Sequence, residues 1–190
     1  VQGAMSDGDW LVIDGGNTHF WSEIAVNIAG FQGKKLGGIL HPGTFSLLGV
    51  GVSFAVSAKN VDPNRNVVLI SGDGAFLSGG LSIEAAFQEN RPIVVVIDNN
   101  GGLDCISQQQ ERLFASGTHY ATDFRDIPFH AMFEGLGGHG ELVTRREDII
   151  PAVQRAMASG KTACVNVKVK GVISPIVLAT TSKRDKASIE

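Results

Sequence analysis

Six short apolar runs separated by segments of helical pattern constrain this chain most: "WLVID" at 10–14, "LGGIL" at 36–40, "NVVLIS" at 66–71, "PIVVVID" at 92–98, "GELV" at 140–143 and "ACVNVKV" at 163–169. Most run without apolar-polar alternation, which predicts strands buried on both faces, the mark of a parallel sheet covered by helices. Between the runs, "SLLGVGVSFAVSAKN" (46–60) reads as a tightly packed helix. "LSIEAAFQEN" (81–90) and "REDIIPAVQRAMASG" (146–160) read as amphipathic crossover helices, the second ending on a glycine suited to a helix terminus. A repeated β-α order predicts an α/β fold, a doubly wound open parallel sheet of about six strands with right-handed crossovers. The expected domain covers residues 1–170. Residues 171–190, "GVISPIVLATTSKRDKASIE", lose periodicity after Pro175, end polar and read as a C-terminal tail.

With 190 residues, 43% of them hydrophobic and 18% charged, the chain is long enough for one real core. A formal net charge of -3 gives no basic field for nucleic acid, and no basic run suggests a membrane surface. The apolar runs are strand-length, and "VQGAMSDGDW" does not read as a signal peptide, so the cytoplasm is the expected location. Two cysteines, Cys105 and Cys164, lie far apart without metal-ligand spacing and are expected as reduced thiols. Val1 in place of a methionine leaves open a natural chain or a fragment of a longer one.

Two of the runs stop abruptly, one at Gly72-Asp73-Gly74 and the next at Asn99-Asn100-Gly101-Gly102. Ligands of doubly wound sheets bind beyond the carboxyl ends of the strands, so both stops face one region. A lone Gly-Asp-Gly after a strand is usually a turn. The pair says more: residues 75–98 supply one helix and one strand that return the chain to the same sheet edge. Glycines beside Asp73 let main-chain N–H groups reach a phosphate. A carboxylate, an amide oxygen and a free carbonyl make a hard oxygen set for Mg²⁺ that keeps phosphate oxygens as its other ligands. A metal-bridged diphosphate is the expected ligand.

The stretch from Gly72 to Gly102 resembles the cofactor motif of the thiamine-diphosphate-dependent enzymes, Gly-Asp-Gly followed after about two dozen residues by Asn-Asn. The resemblance implies that Asp73, the Asn100 side chain and the Gly102 carbonyl ligate Mg²⁺, and that Gly72, Gly74 and Ala75 lie along the diphosphate. "GTFSLLGVGVSFAVSA" (43–58) is similar to the family segment that wedges a bulky residue under the cofactor; Leu48 takes that place, and the Ser46 carbonyl is implied to accept from the 4′-amino group. The family more often carries Met and Gly at these two positions. Asn17, in a loop after the first strand, is implied on the cofactor side; "DCISQQQERL" (104–113) is implied to cover the thiazolium, with Asp104 and Cys105 toward the substrate. Imidazole as a group suits proton transfer near neutrality, which makes His19 and His41 candidates, but structural imidazoles are the simpler reading; His119, His130 and His139 show no ligand spacing.

The motifs look more like those of oxalyl-CoA decarboxylase and 2-hydroxyacyl-CoA lyase than of pyruvate decarboxylase, with acetolactate synthase also close. The resemblance covers about residues 9–169, as the family's C-terminal, diphosphate-side domain only. It implies a second domain whose glutamate hydrogen-bonds N1′ of the aminopyrimidine and promotes loss of the C2 proton; Glu23 and Glu84 read as solvated helix charges instead. It therefore implies a larger partner subunit with the pyrimidine-binding domain, two small plus two large chains. The implied activity is carbon–carbon lyase or ligase chemistry on a 2-hydroxyacyl-CoA, giving a carbonyl compound and formyl-CoA or the reverse. An acetolactate-synthase-like or sulfopyruvate-decarboxylase-like subunit acting on a 2-oxo acid is the second reading, and a non-catalytic scaffold subunit the third.

Overall fold

The computed structural model describes residues 1–114 and 116–181. All six apolar runs are strands: β1 (Trp10–Asp14), β2 (Gly38–Leu40), β3 (Val67–Gly72), β4 (Val94–Asn99), β5 (His139–Val143) and β6 (Ala163–Lys168). They form one sheet in the order β2-β1-β3-β4-β6-β5, every pairing parallel. Parallel neighbours need a crossover between them, so consecutive strands are joined mostly through helices that cover both faces. Those helices are α1 (Asn17–Phe31), α2 (Gly51–Val61), α3 (Asp73–Gly79), α4 (Glu84–Gln88), α5 (Asp104–Leu113), α6 (Phe129–Gly135), α7 (Ile149–Ala158) and α8 (Pro175–Thr181).

The pleat divides each strand's side chains between two cores. On one face Val12, Leu69, Val95 and Ile97 pack with Val52 and Ala55 of α2, Phe76 of α3, Ala86 of α4 and Phe129 and Phe133 of α6. On the other, Leu11, Ile13, Val68, Val96 and Val165 meet Ala152, Val153 and Ala156 of α7, with Val26 of α1 against them. Both faces being dry accounts for runs without polar alternation. Phe76 is the centre of an aromatic group, 5.6 Å edge-to-face from Phe129 and 5.9 Å from Phe133 between ring centroids.

Three expected elements differ from the structure. The helix expected over 46–60 begins only at Gly51, because Ser46 (φ 51°) and Gly49 (φ 89°) take left-handed backbone that turns the chain away from helix. Asn17, Thr18 and His19 are not in a loop but form the first turn of α1. The helix expected over 81–90 is shortened to α4, preceded by α3, which starts at Asp73 itself, and a 3₁₀ turn at Gly80–Ile83.

The expected tail is ordered through Thr181. Ser174 is fully buried, Pro175–Thr181 is helical, and the Val172 carbonyl accepts from the Trp21 indole at 3.1 Å. Residues 182–190 of that tail lie outside the described residues. Cys164 is buried in the first core and Cys105 is half-buried; both are free thiols. Phe133→Ala removes a ring that is 1% exposed from the aromatic group, and the expected loss is about 3–5 kcal/mol of unfolding free energy in urea denaturation.

Candidate functional site

The strand order reverses between β1 and β3: the chain leaves β1 toward β2 on one side and resumes at β3 on the other. Helices therefore diverge from the carboxyl ends of these two strands, leaving the crevice where doubly wound sheets hold ligands. A cavity of about 300 Å³ lies there. Its walls include Asn17, Ser46, Leu48, Gly72, Asp73, Gly74, Ala75, Asn100 and Gly102, so every site residue expected from sequence reaches one space, with Asp104 and Cys105 beside them.

Asp73 organises the floor. Its side chain is 2% exposed; Oδ1 accepts from the Gly74 amide at 2.7 Å, and Oδ2 accepts from the Gly101 and Gly102 amides at 2.8 and 3.1 Å. Asn100 Oδ1 accepts from the same Gly102 N–H at 3.1 Å, so carboxylate and amide oxygens converge on one donor. Burial raises the Asp73 carboxyl above the usual range, and the three amides pull it back. A Cβ at Gly74 would lie 2.5 Å from Leu103 Cδ2, so a side chain there would oblige that leucine to shift. The two neighbouring asparagines divide their work by strand alternation. Asn99 points away from the cavity and donates to Asn166 Oδ1 at 2.9 Å, tying β4 to β6, while Asn100 faces the cavity.

The strip bearing Ser46 and Leu48 is held by Asp14 at the end of β1. Its carboxylate, 1% exposed, accepts from the Gly51 amide at 2.7 Å and the Gly49 amide at 3.0 Å, satisfying orphan N–H groups at the start of α2. Burial raises this carboxyl also. Asn17 Nδ2 donates to Gln108 Oε1 at 2.9 Å and Asn17 Oδ1 accepts from the Ser174 amide at 3.2 Å; Gln108 donates in turn to Asp104. Asn17 thus lines the cavity while joining α1, α5 and the C-terminal segment. Burial raises the Cys105 thiol, which keeps it a poor nucleophile at neutral pH.

Glu23 bonds to His19, and Glu84 is solvent-exposed; neither lines the cavity. Sequence reasoning missed Asp14, the Gly15-Gly16 turn and Asp98. Thr18 Oγ1 donates to Asp98 Oδ2 at 2.7 Å, fixing α1 to β4, and burial raises the Asp98 carboxyl. The available signal was an acid closing an apolar run, at "WLVID" and "PIVVVID", the same pattern that marked Asp73.

Among the described residues no lysine or arginine lines the cavity, whose charged residues are Asp73 and Asp104; Arg146 and Lys170 line a neighbouring hollow that shares Asn17, Asn100 and Asp104 with it. Inside the cavity a bare diphosphate would meet the Asp73 and Asp104 carboxyls, whereas a divalent cation held by Asp73 and Asn100 would reverse the sign, and the backbone of Gly72–Ala75 lies along the wall. The residues present therefore fit a metal-bound diphosphate.

Comparison with known proteins gives the family. Residues 14–167 match the family described as thiamine pyrophosphate enzyme, C-terminal TPP binding domain, and the chain belongs to that family. It is 39% identical over 129 residues to the acetolactate synthase large subunit IlvG of Mycobacterium tuberculosis, covering 67% of this chain and 23% of that protein. It is 28% identical over 174 residues to 2-hydroxyacyl-CoA lyase 2 of Bos taurus, covering 88% and 26%. Among solved structures, the thiamine diphosphate-dependent 4-hydroxybenzoylformate decarboxylase of Rhodococcus jostii RHA1 matches with a TM-score of 0.72 and 25% identity over 90% of this chain and 31% of that one. The chain thus spans less than a third of the length of these relatives, whose corresponding part is one domain of a larger thiamine diphosphate enzyme. Among the described residues no helix is long and apolar enough to cross a membrane.

Two expectations follow. Asp14→Ala unpairs the Gly49 and Gly51 amides and loosens the strip with Ser46 and Leu48; it should cost about 1–3 kcal/mol in chemical denaturation. His119 lies between Asp123 (Nδ1, 2.8 Å) and Glu111 (Nε2, 2.9 Å), and these partners, Asp123 first, raise its pKa. A raised folded pKa stabilises the fold fully below the unfolded value of about 6.5, and the benefit disappears as pH rises through the folded value. Melting curves of wild type and His119→Gln between about pH 6 and about pH 9 should therefore differ at the acid end and converge at the alkaline end.

Proposed function

We propose that this chain is the diphosphate-binding part of a thiamine-diphosphate- and Mg²⁺-dependent carbon–carbon lyase or ligase, acting on a 2-hydroxyacyl-CoA to give a carbonyl compound and formyl-CoA, or running the condensation. The observation that carries the reading is the meeting of Asp73, Asn100 and Gly102 at a cavity that, among the described residues, no cationic side chain lines. In this reading Asp73, Asn100 Oδ1 and the Gly102 carbonyl ligate Mg²⁺, while Gly72, Gly74 and Ala75 cradle the diphosphate. The bound cofactor supplies an electron sink for a carbanion. Leu48 would shape the floor under the rings, the Ser46 carbonyl would accept a hydrogen bond from the 4′-amino group of the aminopyrimidine, and Asn17 holds α5 in place over the cavity.

The glutamate that promotes proton loss from the cofactor belongs, in this proposal, to a larger subunit, two of each chain making the active assembly. That division accords with the chain's spanning 26% of its lyase relative. A second reading, an acetolactate-synthase-like enzyme acting on 2-oxo acids, is favoured by the 39% identity to a synthase subunit. Similarity to the lyase extends over more of the chain, 88% against 67%.

Calorimetry tests the site first. Thiamine diphosphate should bind the reconstituted assembly only with Mg²⁺, and Asn100→Ala should weaken binding by at least about tenfold while Asp73→Ala abolishes it. Binding that ignores Mg²⁺ or survives both substitutions overturns the proposal. Turnover of 2-hydroxyacyl-CoA without turnover of pyruvate supports the first substrate reading, and the opposite result the second.

A further inference from the structure

Outside the cofactor cavity, three side chains converge with no part in the diphosphate site. His19, in the first turn of α1, is 4% exposed, and its Nε2 lies 2.9 Å from Glu23 Oε1 one turn later. His41, just beyond β2, brings a second imidazole whose ring centroid is 5.1 Å from that of His19 at 62°. One ligand atom from each of the three falls within 4.8 Å of the others. We propose that His19, Glu23 and His41 bind a divalent transition-metal ion of the zinc class, in a site separate from the Mg²⁺-diphosphate cavity.

An ordinary ion pair explains His19 with Glu23 but not the second imidazole. His41 Nδ1 accepts from the Gly43 amide and its ring packs edge-on against His19. A metal ion would engage both rings and Glu23 at once, because two imidazole nitrogens and one carboxylate oxygen are an established three-ligand set for Zn²⁺ with the fourth position left to water. Nitrogen ligands also select Zn²⁺, Ni²⁺, Cu²⁺ or Co²⁺ against Mg²⁺ and Ca²⁺.

Tetrahedral bonds of about 2.0–2.1 Å require ligand atoms about 3.4 Å apart. The His19–Glu23 pair is already closer than that, so the adjustment falls on His41, which is exposed and borne on a loop. His41 Nδ1 now accepts from its own Gly43 amide at 3.2 Å, a long contact that metal binding would give up. Ile13, Val26, Asn27 and Ile39 line the hollow beside Glu23 and His41. The ion would staple the segment after β2, which continues to Ser46 and Leu48, onto the helix that begins with Asn17.

Titration of the metal-free chain with Co²⁺, read by visible absorption and then by displacement with Zn²⁺, tests this without thiamine diphosphate. One Co²⁺ per chain with the intense bands of four- or five-coordination is expected, together with a Zn²⁺-dependent rise in melting temperature. His41→Ala, an exposed substitution, should weaken binding by at least about tenfold and remove the thermal shift, and Glu23→Gln should weaken it similarly. His119→Gln, which alters a different imidazole flanked by carboxylates, should leave both unchanged. The proposal is overturned by the absence of saturable binding below about 1 mM, by affinity that His41→Ala does not alter, or by a loss that follows His119→Gln instead.

Discussion

One buried carboxylate joins the ends of two strands. Asp73 sits at the carboxyl end of β3, yet two of its three amide donors, Gly101 and Gly102, belong to the turn after β4. Burying a charge this deeply is costly unless it is hydrogen-bonded, and three amides meet that requirement without any side-chain cation. The same bonds bring the Asn100 oxygen onto the Gly102 amide, so the geometry of the floor is set before any ligand arrives. Asp14 repeats the device on the neighbouring strand, holding the amides of Gly49 and Gly51. Two carboxylates on backbone amides thus hold both sides of the crevice at the point where the strand order reverses.

Why those carboxylates are affordable follows from the sheet. With both faces of β1, β3 and β4 dry, the strand ends are rigid, and the loops beyond them inherit little freedom. Asn99 adds a lateral tie through Asn166, and Thr18 adds another by donating to Asp98. Polar side chains on adjacent strand ends therefore support one another, and burial raises the Asp98 and Asp104 carboxyls, so a nearby cation would favour their charged forms. That preference is what makes a cation the natural partner of an anionic ligand here.

The strands were legible because a fully buried parallel strand writes itself as an unbroken apolar run, and all six runs are strands. Gly72-Asp73-Gly74 and Asn99-Asn100 were legible because turn residues stop those runs abruptly. Helix boundaries were less so: the left-handed backbone at Ser46 and Gly49 depends on Asp14, 35 positions from Gly49 in the chain, and no local pattern reports that partner. The helical character of Pro175–Thr181 escaped for a similar reason, since its place is secured by distant contacts from Asn17 and Trp21 to the preceding residues. Asp98 was hidden in the apolar run that it ends, its role being apparent only once Thr18 lies beside it.

The chain carries two tryptophans, and the fold assigns them different reporting duties. Trp10 lies at the start of β1, its indole bonded to Asp62 at 3.3 Å, at the end of the sheet opposite the cavity. Trp21 is 40% exposed and clasps the Val172 carbonyl. Its fluorescence is therefore a built-in optical gauge of how residues 171–181 sit on α1, readable without any attached dye, while Trp10 supplies an internal reference from the body of the domain.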